Sequence, residues 1–576
     1  MEYNVKLIRN GWITFRKRDI SVWVRGQAHL GDECLDTAAL AERFSSVGTR
    51  GLVEGLDDLV SRLNGNWAAV VVCGDNAYLA VDHLRSIQLL YRQENDVLHV
   101  FDDMENFRKD HHLEFDEDCV HEYLSSGYVY GNRTLFKGTY SLQAAERVWV
   151  VDDRRVENRD GINSRVEQER VEDEARRFSP TASRKVCKKY DGMTVESWRY
   201  WRYVPNINKP IMTDDALVKR IDETFLTAMR RLVESVGDRR IVVPLSGGYD
   251  SRLIVNYLHK LGVRNVLCYT YGVKGNGESR CSKEVASRLG YEWHFVEYTN
   301  ENRTALLNDP STDACFRYMC NGTNRYCNQE HIALRNLIDT GIVNPEHDVV
   351  VPGYYFDVLA GSKIKLSTYD WSATSNSLAD ENNFFIGKAY RRTVSAIQNI
   401  FLQNDDIRGK AFFETFLWQE RLTKFIVNNV RDFEWLGFDW RLPLCDRDLF
   451  DLWLSFSYAA RYGRKYFRQV FLRLVVDAIR DVAFNEGASI TSLRKVKHWI
   501  GERTPYAVRF ALRRMLYRTV KCGSSTLADA HVDVPCLASR VSEAFPYLRY
   551  RLMDLSGTSP NAVIALKGLC AEMAVC

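Results

Sequence analysis

The chain reads Ile241-Val242-Val243-Pro244-Leu245-Ser246-Gly247-Gly248-Tyr249-Asp250-Ser251 near its middle. The apolar half predicts a buried strand, and the Ser-Gly-Gly-x-Asp-Ser turn predicts the start of a helix. Such a turn gathers backbone N–H groups and a hydroxyl around one small volume, which suits a pyrophosphate. Asp250 adds a carboxylate where a magnesium ion bridging phosphates would need one. The pattern therefore predicts an ATP site that splits between the α- and β-phosphates, and so adenylation of a substrate. The alternative is an ordinary glycine turn, which the full six-residue pattern disfavours.

Length and composition narrow the class of protein. At 576 residues the chain is too long for one ordinary core, so two or three domains are expected. The 78 basic and 75 acidic residues nearly balance, which argues against bulk nucleic-acid binding. No apolar run approaches the length of a membrane span, and the N-terminus lacks the apolar region of a signal peptide. We therefore expect a cytoplasmic enzyme.

The cysteines give no sign of a disulfide framework. All 14 are scattered and none forms a Cys-x-x-Cys pair, so reduced thiols are expected. The densest group is Cys315, Cys320 and Cys327, with His331 close behind. Because these spacings match no standard zinc pattern, the sequence predicts no metal there.

The pattern along the chain predicts two domains. β-forming runs at 67–72, 77–81 and 97–101 predict a sheet-rich first domain, 1–165. A charged and polar stretch, 166–213, is predicted to be a linker. In 214–576, helical periodicity leads into the strand at Ile241, and a second strand follows at 266–271. Alternating helices and strands predict a parallel sheet wrapped by helices, and the pattern from about 380 onward is mainly helical.

Ligands of an open parallel sheet bind beyond the carboxyl ends of its strands. The predicted ATP-binding residues accordingly follow strand ends; they are Leu245, Ser246, Gly247, Gly248, Tyr249, Asp250, Ser251, Tyr271, Gly272 and Gly353. Asp357 follows a third strand, 348–352, and is predicted to hold Mg²⁺ together with Asp250. The alternative is that Asp357 only caps a helix at 358–360.

These motifs resemble those of the asparagine synthetase superfamily, which includes β-lactam synthetase, lasso-peptide cyclases and proteins of bacterial surface-polysaccharide clusters. The segments that carry the resemblance in the second domain are Ser246–Ser251, Glu278 with Val285-Ala286, Gly353-Tyr354-Tyr355-Phe356-Asp357 and Arg441-Leu442-Pro443-Leu444-Cys445-Asp446. In the first domain they are Leu63–Ala68, Val81–Ser86 and Gly131–Gly138. The resemblance implies an N-terminal Ntn-type αββα sandwich and a C-terminal PP-loop ATP pyrophosphatase α/β domain with a helical C-terminal part.

Two departures from the superfamily pattern matter for function. Glutamine-using members have a nucleophilic Cys after the initiator Met, whereas this chain has Glu2. The glutaminase fold is therefore expected to be retained and its activity lost, because the first remaining cysteine is Cys34. The second departure is Val358, where asparagine synthetases have Glu. Tyr354 matches the catalytic Tyr of β-lactam synthetase, which a Glu assists; Glu420 is the predicted partner here, and a packed aromatic is the alternative for Tyr354.

The resemblance also implies a C-terminal cation near the α-phosphate. Lys465, Lys495 and Lys497 are the candidates, with solvated surface charge as the alternative for each. The favoured interpretation of the basic stretch 494–521 is a solvated helix face. The alternatives are that it binds a diphosphate-linked sugar or makes weak contact with an anionic membrane surface.

The sequence as a whole predicts a carbon–nitrogen ligase that uses ATP and Mg²⁺. Its expected partners are a small-molecule carboxylate, such as a uronic acid of a surface polysaccharide precursor, and ammonia or an amine. An intramolecular lactam- or macrocycle-forming synthetase and a non-catalytic partner of an active amidotransferase remain alternatives. A separate glutaminase and a homodimer also stay open, and no nucleic-acid partner is expected.

Overall fold

The computed structural model describes residues 2–17, 19–48, 51–152, 186–190, 193–206, 215–326, 329–364, 378, 388–402, 407, 409–484 and 569–573. The strands of the first domain are β1 Glu2–Lys6, β2 Trp12–Lys17, β3 Ile20–Leu30, β4 Glu33–Leu35, β5 Leu63–Cys73, β6 Asn76–Val81, β7 Leu90–Glu94, β8 Val97–Phe101, β9 Thr139–Ser141, β10 Glu146–Asp152, β11 Val186–Tyr190 and β12 Met193–Arg199. Its helices are α1 Thr37–Ser46, α2 Leu52–Arg62, α3 Met104–Asp110 and α4 Glu117–Ser126.

The first domain has four layers. One sheet has the order β1-β8-β7-β9, and the other has the order β11-β12-β10-β6-β5-β3-β2 with β4 paired to β3. Alternate residues of β5 and β6 face opposite sides, as the two-residue period of a strand requires. Helices α1 and α2 cover one side of the larger sheet, and α3 and α4 cover the outer side of the smaller sheet. The predicted αββα sandwich is confirmed.

Individual side chains show how the layers pack. Trp67 of β5 is buried with Phe44 of α1, whereas its neighbour Ala68 is buried between the two sheets with Val100 of β8. Phe101, the next residue of β8, packs instead with helices α3 and α4. Strands β5 and β8 thus each contribute side chains to two hydrophobic cores. This explains the long apolar runs in the sequence of this domain.

The sheet of the first domain extends into the stretch predicted as a linker. β12 pairs antiparallel with β10, and β11 pairs with β12. Within the predicted linker 166–213, residues 186–190 and 193–199 are therefore part of the larger sheet of the first domain. The sequence prediction missed them because the Ser/Thr/Lys composition masks their alternation. The stretch 153–185 lies outside the described residues, so the boundary at 165 stays a prediction.

The second domain is built on five parallel strands: β13 Arg240–Pro244, β14 Val266–Gly272, β15 Glu292–Glu297, β16 Asp348–Val350 and β17 Asp439–Trp440. The helices up to β17 are α5 Asp215–Val236, α6 Asp250–Lys260, α7 Gly277–Leu289, α8 Asn300–Asn308, α9 Pro310–Cys320, α10 His331–Asp339, α11 Phe356–Leu359, α12 Lys388–Leu402, α13 Gly409–Phe416, a π-helix Leu417–Ile426, a 3₁₀ turn Val427–Asn429 and α14 Val430–Trp435. Beyond β17 come a 3₁₀ turn Pro443–Cys445, α15 Arg447–Leu454, α16 Tyr458–Arg461, a 3₁₀ turn Tyr462–Arg464, α17 Lys465–Leu474 and α18 Asp477–Arg480.

The strand order β15-β14-β13-β16-β17 places the site. All four pairings are parallel, and the chain order reverses between β13 and β16. Such a reversal opens a crevice at the carboxyl ends of the two strands. The loops that follow β13 and β16 carry Ser246–Ser251 and Gly353–Asp357, so the two predicted motifs meet at this point. The predicted parallel α/β domain with a helical C-terminal part is confirmed.

No helix among the described residues is long and apolar enough to cross a membrane. A short segment at 569–573 returns to the first domain, where Glu572 forms a buried ion pair with Arg108 of α3 at 3.0 Å. This segment thus packs against α3 of the first domain.

Candidate active site

Two serines brace the loop after β13. The Ser246 backbone N–H donates to Ser251 Oγ at 3.0 Å, and the Gly248 N–H donates to Ser246 Oγ at 3.2 Å. The two hydroxyl oxygens are 3.1 Å apart. The two hydroxyls therefore hold the turn over the first residues of α6. An anion bound there is stabilised by the positive end of the helix dipole.

Gly353 lets the loop after β16 touch the start of α6. A Cβ on Gly353 would lie 2.6 Å from the Ser251 backbone nitrogen and 3.0 Å from its Cα. Backbone atoms cannot rotate away from such a contact, so only glycine allows this approach. Two residues on, Tyr355 has φ +91°, in the left-handed region that non-glycine residues rarely adopt. Strain of this kind is found where a turn must hold functional groups in place.

The two predicted metal ligands meet at the crevice. Asp250 Oδ2 accepts the Asp357 backbone N–H at 2.9 Å, and Asp357 Oδ2 accepts the Ser362 hydroxyl at 2.9 Å. Asp250 therefore caps α11, while Asp357 lies inside the first turn of that helix. The simple capping role considered for Asp357 thus belongs to Asp250 instead.

Asp250 has one oxygen left over. Its Oδ1 is buried and has no hydrogen-bond partner. Burial and the charge of Asp357 raise the pKa of Asp250 well above its usual range, and Arg464 opposes that rise. An orphaned carboxylate oxygen beside a second acid suits a hard divalent cation, so the residues fit Mg²⁺.

The end of β14 carries the residues predicted for the adenine. The Tyr271 ring stacks on Tyr298 with centroids 5.0 Å apart, and the Tyr298 N–H donates to the Gly272 carbonyl at 2.8 Å. Gly272 has φ +132°, a backbone conformation that favours glycine. The two residues lie on the same edge of the sheet as the serine loop, and their adenine role stays a prediction.

Tyr354 has a different partner from the predicted one. Its hydroxyl donates to Glu330 Oε2 at 3.2 Å. Glu330 immediately precedes α10, and burial and the charge of Asp432 raise its pKa to about 8. The stacking of Tyr354 on Phe433, with centroids 6.4 Å apart, holds the ring over the crevice. A Tyr–Glu pair is therefore present, but Glu330 supplies its acid. No sequence motif marks Glu330, because α10 reaches the site only through tertiary packing.

The prediction that Glu420 assists Tyr354 is wrong. Glu420 is fully buried and forms an ion pair with Lys424 at 2.5 Å. Its Oε2 also accepts the Gly131 N–H from the first domain at 3.0 Å, and Lys424 donates to the Gly131 carbonyl at 2.7 Å. Lys424 lowers the pKa of Glu420 although burial acts in the opposite direction. Glu420 thus joins the domains, because the π-helix turns it toward the interface.

Arg464 lies at the site where a lysine was predicted. Its guanidinium carbon is 5.4 Å from the centre of the Tyr249 ring, and its charge acts on Asp250. Its neighbour Lys465 is exposed at the start of α17. Of this basic pair, Arg464, with φ +61°, is therefore the residue that lies beside Tyr249, and a catalytic role for Lys465 stays a prediction. Lys495 and Lys497 lie outside the described residues.

The Arg-x-Pro-x-x-Asp segment links the domains. Asp446 accepts the Asn64 side-chain amide at 3.0 Å and pairs with Arg231 at 2.8 Å. One residue earlier, the Cys445 carbonyl lies 2.8 Å from His83 Nε2. Asn64 and His83 belong to two of the first-domain motifs, so the motifs of the two domains contact each other at the domain interface.

Two residues of the first domain bear on glutaminase chemistry, Glu2 and Cys34. Glu2 is exposed in β1, where it pairs with Val97. Cys34 lies in β4, and burial together with the charge of Glu234 raises the pKa of its thiol. A raised pKa disfavours the nucleophilic thiolate. The loss of glutaminase chemistry stays a prediction.

A parallel sheet with a Ser-Gly-Gly loop at its reversal point, joined to an αββα sandwich, is the architecture that the resemblance to the asparagine synthetase superfamily implies. Residues 220–315 match the family model for asparagine synthase, and this segment belongs to that family.

Similarities to solved structures are remote. The NH3-dependent NAD synthetase of Campylobacter jejuni is 15% identical; the match covers 25% of this chain and 59% of that one, with a TM-score of 0.19. An allosteric regulatory enzyme of purine biosynthesis is 14% identical over 50% of this chain and 62% of its own, with a TM-score of 0.18. The glutamine PRPP amidotransferase of B. subtilis is 12% identical over 50% and 73%, with a TM-score of 0.19.

The chain thus spans about three fifths of the length of the first two, and scores this low support no argument about function. No curated protein matches the sequence.

Proposed function

We propose that the chain adenylates a small-molecule carboxylate and passes the acyl group to ammonia or an amine, with release of AMP and pyrophosphate. The observation that carries the proposal is the contact between the two loops: Gly353 touches Ser251, and Tyr354 follows it in the chain. A phosphate-binding loop and a proton-accepting pair are therefore adjacent at one crevice. Both steps of an amide ligase need groups in such close proximity.

Each group of residues has a different role in the proposed reaction. Ser246, Gly248 and the start of α6 bind the phosphates that leave. Asp250 and Asp357 hold magnesium, which when bound neutralises phosphate charge. Arg464 adds a fixed positive charge on the side of Tyr249 and stabilises the crowded anionic transition state.

The Tyr354–Glu330 pair serves the second step. Neutral ammonia or amine attacks the acyl carbon, and the bond from that carbon to AMP breaks. As the new C–N bond forms, the nitrogen loses a proton to Tyr354, which passes its own proton to the ionised Glu330 carboxylate along the 3.2 Å hydrogen bond between them. A uronic acid of a surface-polysaccharide precursor is the carboxylate that we propose to test first.

The experiment measures pyrophosphate and AMP release by the full chain with ATP, Mg²⁺, candidate uronates and ammonium. Substrate-dependent release supports the proposal. ATP binding without release for any carboxylate would overturn it. Omission of the amine separates the second candidate, an intramolecular lactam-forming synthetase, which the Tyr354–Glu330 pair favours and which needs no external amine.

A further inference from the structure

Three helices bring a thiol, an imidazole and a carboxylate together behind the active site. Cys315 lies on α9, His331 is the first residue of α10, and Asp432 lies on α14. One ligand atom from each lies within 4.8 Å of the other two. All three are buried, with exposed fractions of 2%, 3% and 1%. Because the ligands come from distant parts of the chain, the spacing argument against a metal at Cys315 and His331 does not apply.

The carboxylate of this cluster is only half satisfied. Asp432 Oδ1 lies 2.6 Å from His331 Nδ1, whereas Asp432 Oδ2 is buried and has no hydrogen-bond partner. A buried carboxylate oxygen without a partner is costly, and native proteins rarely leave one. Cys315 Sγ lies 3.8 Å from the Met319 sulfur, so the surroundings of the thiol are soft and apolar.

We propose that Cys315, His331 and Asp432 form a zinc site separate from the magnesium site at Asp250. Thiolate, imidazole and carboxylate are the three ligand types that zinc accepts together, and three protein ligands leave its fourth position open. The charges also balance: one thiolate and one carboxylate cancel a divalent cation. Zinc needs a thiolate and a neutral imidazole, so binding releases to solvent the Cys315 proton and the second ring proton of a charged His331, and it leaves a neutral site in the protein interior.

A plain buried ion pair between His331 and Asp432 is the competing explanation. The ion pair explains the contact of Asp432 Oδ1 with His331. It leaves Asp432 Oδ2 without a hydrogen-bond partner and does not involve the Cys315 thiol. The two explanations predict different absorption spectra. A sulfur-to-metal charge-transfer band is expected only if the Cys315 sulfur is bound to a metal ion.

The test uses the full chain after chelation and dialysis, titrated with Co²⁺ as a probe. The expected result is binding of one Co²⁺ per chain with a sulfur-to-cobalt charge-transfer band, which one equivalent of Zn²⁺ then removes. Absence of that band in the folded wild-type chain overturns the proposal, whatever the variants do.

Matched variants locate the site. Cys315→Ala is expected to abolish the charge-transfer band, and Asp432→Asn to weaken Zn²⁺ binding by about tenfold or more. Cys268→Ala removes a thiol that is equally buried in β14 and is expected to keep the band. Persistence of the band in a folded Cys315→Ala chain would also contradict the proposal. The readout does not use catalysis, so its failure is distinct from failure of the proposed ligase activity.

Discussion

Asp250 accepts the backbone N–H of Asp357, and this 2.9 Å bond ties the loop after β13 to the helix after β16. One carboxylate oxygen thereby serves the fold, while the other is left for a ligand. The site and the local structure are built from the same side chain.

Asp250→Asn is expected to separate these two roles. An amide oxygen still caps α11, but the metal-binding charge is lost, so pyrophosphate release should fall by about a hundredfold or more. The free energy of unfolding should stay equal or rise, since the charge is buried beside Asp357. Chemical denaturation and a pyrophosphate assay measure the two effects. Asp116→Asn, which keeps the cap of α4, is the control that should retain activity.

Gly353→Ala is expected to destabilise the protein and disable the loop. The added Cβ would meet the Ser251 backbone at 2.6 Å, so the loops must separate, at a cost of about 1–3 kcal/mol. ATP affinity, measured by calorimetry, should fall. Gly55→Ala is the control, since its Cβ meets only a Val47 methyl group at 2.6 Å within a helix that favours alanine. Equal ATP affinity in both variants would refute the close-approach argument.

Tyr354→Phe is expected to impair amide formation while adenylation continues. The ring and its packing on Phe433 remain, and only the hydroxyl that contacts Glu330 is lost. ATP–pyrophosphate exchange should stay near the wild-type rate, whereas amide product falls by about 10²–10⁴-fold. Glu330→Gln should likewise keep ATP–pyrophosphate exchange and lose amide formation. Loss of exchange in a folded Tyr354→Phe chain would assign the residue to the first step instead.

Glu420→Gln is expected to act on the fold. It leaves Lys424 buried without its counter-charge, which costs about 3–5 kcal/mol. The double variant Glu420→Gln, Lys424→Met should lose less, because the unpaired charge is gone. Thermal unfolding of the wild-type chain and the two variants measures this difference in stability. A Glu420→Gln chain that kept its stability and lost activity would restore the catalytic role.

Arg464→Gln and Lys465→Gln test which of two adjacent cations serves the site. Arg464 faces Tyr249 and Asp250, whereas Lys465 faces solvent. We expect the rate of pyrophosphate release to fall by at least about tenfold in Arg464→Gln and to change little in Lys465→Gln. The reverse result would mean that the chain turns differently at Arg464.

The sequence predicted the parts of the fold that have strong local patterns. The strand before Ser246 and helix α5 are where their periodicity placed them, because a buried face imposes its period directly on the residues. The serine loop and both acids follow strand ends, which parallel topology makes adjacent. Strands β11 and β12 were missed, since their polar composition hides the pattern that their pairing with β10 requires.

What the sequence determined by itself is the chemistry at the start of the site: a glycine-serine loop behind a buried strand, and an acid in each of two loops. The tertiary structure alone decided the partners. Glu330 rather than Glu420 meets Tyr354, Arg464 rather than Lys465 faces the loop, and Asp432 joins Cys315 with His331. These pairs form between side chains distant in sequence or turned by an unusual backbone angle. Packing sets such distances, and no local pattern encodes them.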